Sequence, residues 1–157
     1  MTVTLEPIPP DRIDAATAGR LQRAGGASMN QQLHRVLLVD DDESILESVR
    51  CALVDRGYEV LVARDGSEAL ARAERDAPEL IVLDLVMPRR SGLTVLDRLR
   101  SGNTSSPHII MLTANDEPRH RDFALSRGVA AFLAKPFAME DLLTEVDAVF
   151  EEKLTAN

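Results

Sequence analysis

Asp40, Asp41 and Asp42 follow directly on the apolar run Val36-Leu37-Leu38-Val39, and Asp84 follows on a second run, Leu80-Ile81-Val82-Leu83. Thr113 closes a third run, Ile109-Ile110-Met111-Leu112, and Lys135 closes a fourth, Ala130 to Ala134. Carboxylates drawn into one pocket repel each other, and a hard divalent cation with oxygen ligands is their simplest compensation. Mg²⁺ suits such a set, with Mn²⁺ able to substitute, and Lys135 adds a mobile point charge. The Thr113 hydroxyl offers a hydrogen bond to an oxygen of a bound group. A carboxylate held between a cation and an ammonium is a nucleophile towards phosphorus, because both charges stabilise the transferring phosphoryl oxygens. Each residue alone has a plainer reading: a threonine at a strand end often caps a helix, and a lysine before proline is often solvated. Asp42 is expected to act as an N-cap in either case.

Chemistry of this kind requires elements that deliver all four segments to one place. Val36–Val39, Tyr58–Val62, Leu80–Leu83, Ile109–Leu112 and Ala130–Ala134 read as short apolar strands, several of them continuous enough to be covered on both faces. Between them lie helical patterns. Ile45, Leu46, Val49, Ala52 and Leu53 form a stripe ending at Gly57, and Asp65-Gly66-Ser67 opens a helix carrying Ala69, Leu70 and Ala73. Gly92 starts a third helix with Leu93, Leu96 and Leu99, and a short fourth ends near Ser126. A final amphipathic helix turns Met139, Leu142, Leu143, Val146 and Val149 to the core, with Phe150 at its edge. Five strand-then-helix repeats predict an α/β fold, a doubly wound parallel sheet with helices on both faces. In such sheets ligands bind beyond the carboxyl ends of the strands, where Asp40, Asp41, Asp84, Thr113 and Lys135 all fall.

The chain has 157 residues, enough for one domain with a real core but hardly for two. Its hydrophobic fraction is 45% and its charged fraction 28%, as in ordinary globular proteins, while only 3% of residues are aromatic, so the core rests on Leu, Val, Ile and Ala. A formal net charge of -8 disfavours direct DNA binding and attraction to anionic membrane. Cys51 is the only cysteine, which excludes an internal disulfide, and it reads as a small apolar filler in its helix. The absence of a basic-then-apolar leader and of a run near 20 apolar residues points to a reducing, cytoplasmic setting without membrane insertion. Residues 1–34 lack sustained periodicity and read as a flexible or partly helical arm, 35–152 as the folded domain and 153–157 as a tail.

Four ordered stretches carry a resemblance: Val36 to Glu43, Ile81 to Pro88 with Gly92, Met111 to Ala114, and Lys135-Pro136-Phe137. Together they resemble the receiver domain of two-component response regulators, over residues 35 to about 152. The resemblance implies a flavodoxin-like strand order 2-1-3-4-5 and a phosphoryl-accepting switch. It makes Asp84 the phospho-acceptor and places Mg²⁺ on Asp40, Asp41, Asp84 and the backbone carbonyl of Val86, with Asp41 the more direct ligand. Thr113 and Lys135 then engage the phosphoryl oxygens, and Phe132 is the aromatic that turns inward when Thr113 is drawn to the new charge. The family often has Tyr or His at that place. Val86 and Asn115 correspond to positions that tune attack of water on the phosphoryl group, and an apolar Val86 predicts slow to moderate self-dephosphorylation.

The implied partners are a sensor histidine kinase or histidine phosphotransfer protein as donor, and a downstream protein target on the fourth helix, fifth strand and fifth helix, about 117–150. Dimerisation of the phosphorylated form is left open. With no further residues after Asn157, a stand-alone domain acting stoichiometrically rather than as an enzyme is expected. Two rivals remain: a receiver-fold scaffold independent of phosphorylation, and a small haloacid-dehalogenase-like phosphatase using Asp40-x-Asp42 as nucleophile and acid/base.

Overall fold

The computed structural model describes residues 32–87, 90–102, 106–114 and 117–155. The arm proposed for the first 34 residues therefore lies outside it up to residue 31. The elements alternate strictly: β1 (Arg35–Val39), α1 (Glu43–Asp55), β2 (Glu59–Ala63), α2 (Gly66–Asp76), β3 (Leu80–Asp84), α3 (Gly92–Arg100), β4 (His108–Thr113), α4 (Pro118–Ser126), β5 (Ala131–Ala134) and α5 (Met139–Thr155). All five strands are parallel, in the order β2-β1-β3-β4-β5. The predicted fold class and strand order are those observed. Among the described residues, no helix is long and apolar enough to cross a membrane.

The continuous apolar runs follow from the two-sided cover. Leu37, Val39, Ile81, Leu83, Ile109 and Met111 pack under α2, α3 and α4, while Val36, Leu38, Leu80, Val82, Ile110 and Leu112 pack under α1 and α5. Successive strand residues point to opposite faces, so a strand buried on both has no polar alternation left to show. β2 lies at the sheet edge, and its residues are only half-buried except Ala63. It runs one residue later than the pattern suggested, because Tyr58 still belongs to the turn after α1, its backbone N–H bonding the Leu53 carbonyl.

The helix starts are set by local chemistry. Asp42 caps α1 by accepting from the Ser44 and Ile45 backbone N–H groups, as expected, Asp65 caps α2 and Ser91 caps α3. The α4 start has Pro118 in its first turn and no side-chain cap on Glu117. Two placements differ from the sequence reading. Cys51 is exposed on α1 beside Glu47 and Arg50 rather than in the core, since it falls off the stripe of Leu46, Val49 and Leu53. Phe150 is buried, not marginal: its ring stacks on His34 at 4.3 Å and lies 5.2 Å from Tyr58. His34 also shares a 2.7 Å hydrogen bond with Glu79, so the fold takes hold of the chain by that residue.

Candidate functional site

β1 and β3 are neighbours, yet the chain leaves β1 towards β2 on one side and leaves β3 towards β4 on the other. Helices depart from these two strands on opposite faces, and a crevice opens at their carboxyl ends. Asp40 sits one residue past β1, and Asp84 is the last residue of β3. In register, Asp84 lies beside Leu112, and Thr113 beside Ala134. The ladder extends one step further, where the Lys135 backbone N–H donates to the Thr113 carbonyl at 2.6 Å. The peptide bond from Lys135 to Pro136 is cis.

The five predicted residues at this edge are thereby brought together. Oxygen atoms of Asp40, Asp41 and Asp84 all lie within 4.8 Å of one another. Asp40 and Asp84 are buried, Thr113 is fully so, and Asp41 is exposed at the rim. Lys135 donates to Asp40 Oδ2 at 2.8 Å and lies 3.3 Å from Asp84 Oδ1. The other Asp40 oxygen accepts from the Asp42 backbone N–H at 2.9 Å. Asp84 Oδ1 also accepts from the Val86 backbone N–H, at 3.3 Å, which brings the Val86 main chain to the pocket while its side chain stands 57% exposed at the mouth.

Three carboxylates against one ammonium leave a net negative pocket, and its effect is visible on Asp84. Burial first, then the neighbouring Asp40 charge, push its pKa from an ordinary 3.8 up to about 6, against the opposing pull of Lys135 and the Val86 N–H. Lys135 responds in the complementary sense. Burial works against its ammonium, but the Asp40 hydrogen bond and both carboxylates outweigh that and hold its pKa above the usual value. A donor set of clustered oxygens with too few cations fits a hard divalent ion, with Asp40, Asp41 and Asp84 as the carboxylates that would hold it.

Close packing fixes the far wall. Gly92, the first residue of α3, donates its N–H to the Leu85 carbonyl at 2.8 Å, and a Cβ there would stand well inside contact distance of the Asp84 carbonyl oxygen. Only glycine lets α3 begin this near the end of β3.

A family model described as the response regulator receiver domain matches residues 36–147. The chain belongs to the response regulator receiver family. It is 45% identical over 115 residues to the response regulator MprA of Mycobacterium leprae, covering 73% of this chain and 50% of that one. A second MprA, from Mycobacterium avium, is 44% identical over the same length. The chain thus spans about half the length of these relatives. Among solved structures, it resembles the receiver domain protein of Methanospirillum hungatei with a TM-score of 0.73 and 32% identity, covering 80% of this chain and 100% of that one. It resembles the chemotaxis response regulator CheY4 of Vibrio cholerae with a TM-score of 0.69 and 35% identity, covering 75% and 99%. Receiver domains work in two-component signalling, where an aspartate takes the phosphoryl group.

The remaining predicted positions fall less centrally in this receiver domain. Phe132 is buried on β5, two residue pairs short of Thr113 along the ladder, and Asn115 lies outside the described residues. Asp42 faces its own helix as a cap, an arrangement that does not suit the acid/base role the phosphatase reading required. Two neighbours of the site had no signal in the sequence. Glu43 and Arg64 form an ion pair across the rim, and the Arg121 guanidinium lies over the Phe132 ring, 5.4 Å from its centroid. One arginine among several in an exposed helix gives no hint of which ring it covers.

Proposed function

We propose that Asp84 is the phospho-acceptor of this receiver domain, with Mg²⁺ held by Asp40, Asp41, Asp84 and the Val86 carbonyl, and Mn²⁺ able to replace it. The observation that carries this is the convergence of three carboxylates within 4.8 Å, served by one lysine. Asp40 has both oxygens engaged, by Lys135 and by the Asp42 N–H, and Asp41 is solvated. The closest contacts of Asp84 both fall on Oδ1, which leaves Oδ2 for attack.

The Asp84 oxygen attacks the phosphorus of a phosphohistidine in line. The P–N bond breaks with its electron pair staying on the imidazole, which leaves after taking a proton from solvent. Lys135 and the Thr113 hydroxyl hold the equatorial oxygens. A bound Mg²⁺ supplies the positive charge that lets an anionic carboxylate and an anionic phosphoryl group meet. The donor is a sensor histidine kinase or a phosphotransfer protein in the cytoplasm, and the domain accepts stoichiometrically rather than turning over. The new charge draws Thr113, Phe132 reports that movement, and residues 117–150 present the result to a protein target. The exposed, apolar Val86 side chain cannot orient a water, which favours a slowly decaying phospho-form, with Asn115 the other tuning position.

Acetyl phosphate labelling followed by phosphate-affinity electrophoresis tests the assignment. One shifted band is expected, requiring Mg²⁺, lost in Asp84→Asn and kept in Asp42→Asn, which preserves the cap. A band that survives Asp84→Asn overturns it.

A further inference from the structure

Phe132 has no phenolic oxygen, so it cannot pass a signal through a hydrogen bond. What it has is a ring face. Phe132 sits beside Met111 in the β4–β5 register, and Thr113, two residues on from Met111, projects to the same side of the sheet. The ring is 9% exposed and lies in the core beneath α4. Arg121, on the exposed side of α4, places its guanidinium 5.4 Å from the ring centroid, within the range at which a cation is attracted to the electron-rich face of an aromatic.

We infer that Arg121 is a positioning residue for the switch: its guanidinium, held over the Phe132 ring, favours the buried placement of that ring beside β4 and ties that placement to α4. This rests on the phospho-acceptor reading above, which supplies the charge that the ring reports. A contact biases an equilibrium only when it differs between the two states. The Arg121 contact is made with the ring buried. When a phosphoryl group on Asp84 draws Thr113, the space it leaves on the same side of the sheet favours the buried ring as well. Guanidinium and phosphoryl group then support the same state, so each strengthens the other, and by reciprocity removal of Arg121 weakens binding at Asp84 although no atom of Arg121 need touch the ligand.

Beryllofluoride with Mg²⁺, which adds to a carboxylate as a phosphoryl mimic, is the probe. It is titrated calorimetrically into the wild type, Arg121→Gln, Phe132→Leu and the double variant, with thermal melts confirming that each is folded. Arg121→Gln is expected to weaken binding about two- to fivefold, the scale of an exposed cation–aromatic contact. In the Phe132→Leu background the same change is expected to have almost no effect, and Arg121→Lys, which keeps the charge, is expected to retain most of the affinity. Should Phe132→Leu fail to fold, Phe132→Met removes the ring with a more adaptable side chain. Unchanged or tighter binding by Arg121→Gln, or an equal loss with and without the ring, overturns the inference while leaving the acceptor assignment standing. A wild type that neither binds beryllofluoride nor accepts label overturns both.

Discussion

The two ends of the sheet handle charge in opposite ways. At the amino end each of two carboxylates has its own partner: Glu79 shares a 2.7 Å hydrogen bond with His34, and Glu59 pairs with Arg35 at 3.2 Å. The aromatic stack of His34, Phe150 and Tyr58 closes over that end, and the Tyr58 hydroxyl donates to Asp147 at 2.6 Å. At the carboxyl end Asp40 and Asp84 share Lys135, with Asp41 close by, and burial first, then the Asp40 charge, make Asp84 hold its proton more tightly. The backbone hydrogen bonds of one parallel ladder run through both ends, so the contrast comes from side chains alone. One end is arranged to hold the fold, and the other holds an electrostatic tension that a ligand relieves.

The contrast can be tested by changing each end separately. The largest effect is expected from Phe150→Ala, which empties a buried aromatic site at the amino end and is expected to cost about 3–5 kcal/mol in urea unfolding. Its Mg²⁺ affinity, measured in the same preparation, is expected to match that of the wild type. A large change in metal binding would show that the two ends are not separable.

Next in size is the opposite result at the carboxyl end. In the unfolded chain the Asp84 carboxyl titrates near its ordinary 3.8, and in the fold near 6. Between those values the native state binds the proton more firmly than the unfolded one, so stability falls as pH rises through that window and stays low above it. In chelator at pH 7.5, Asp84→Asn is therefore expected to be more stable than the wild type, by at most roughly 3 kcal/mol, with little difference at pH 3.5. Urea melts at both pH values check this, and an Asp84→Asn protein less stable than the wild type at pH 7.5 would remove the tension from the account. The smallest effect belongs to the Glu79–His34 contact at the other end. Glu79→Gln leaves a hydrogen-bond acceptor beside a half-exposed His34 and is expected to cost under about 1 kcal/mol, with phospho-acceptance unchanged.

Much of this arrangement was legible from the residues. Val36–Val39 and Leu80–Leu83 read as doubly covered strands, so the acids that end them were expected at one edge, and the Asp42 cap followed from its place before a helical stripe. Side-chain directions off the main stripe were less legible. Cys51 was misplaced by its hydrophobic character, although its angle from Val49 and Leu53 already put it outside the stripe. Phe150 depended on His34, more than a hundred positions away, and the Arg121 contact depended on how α4 lies over β5. Such distant pairings leave no periodic trace in a single sequence.

The grip on His34 has a practical consequence. Whatever precedes it joins the domain at the end of the sheet away from Asp84, about 16 Å of strand below the pocket for five residues of β1. A fluorophore, an affinity tag or a surface tether joined directly ahead of residue 32 would therefore attach at the end of the sheet opposite the acidic crevice.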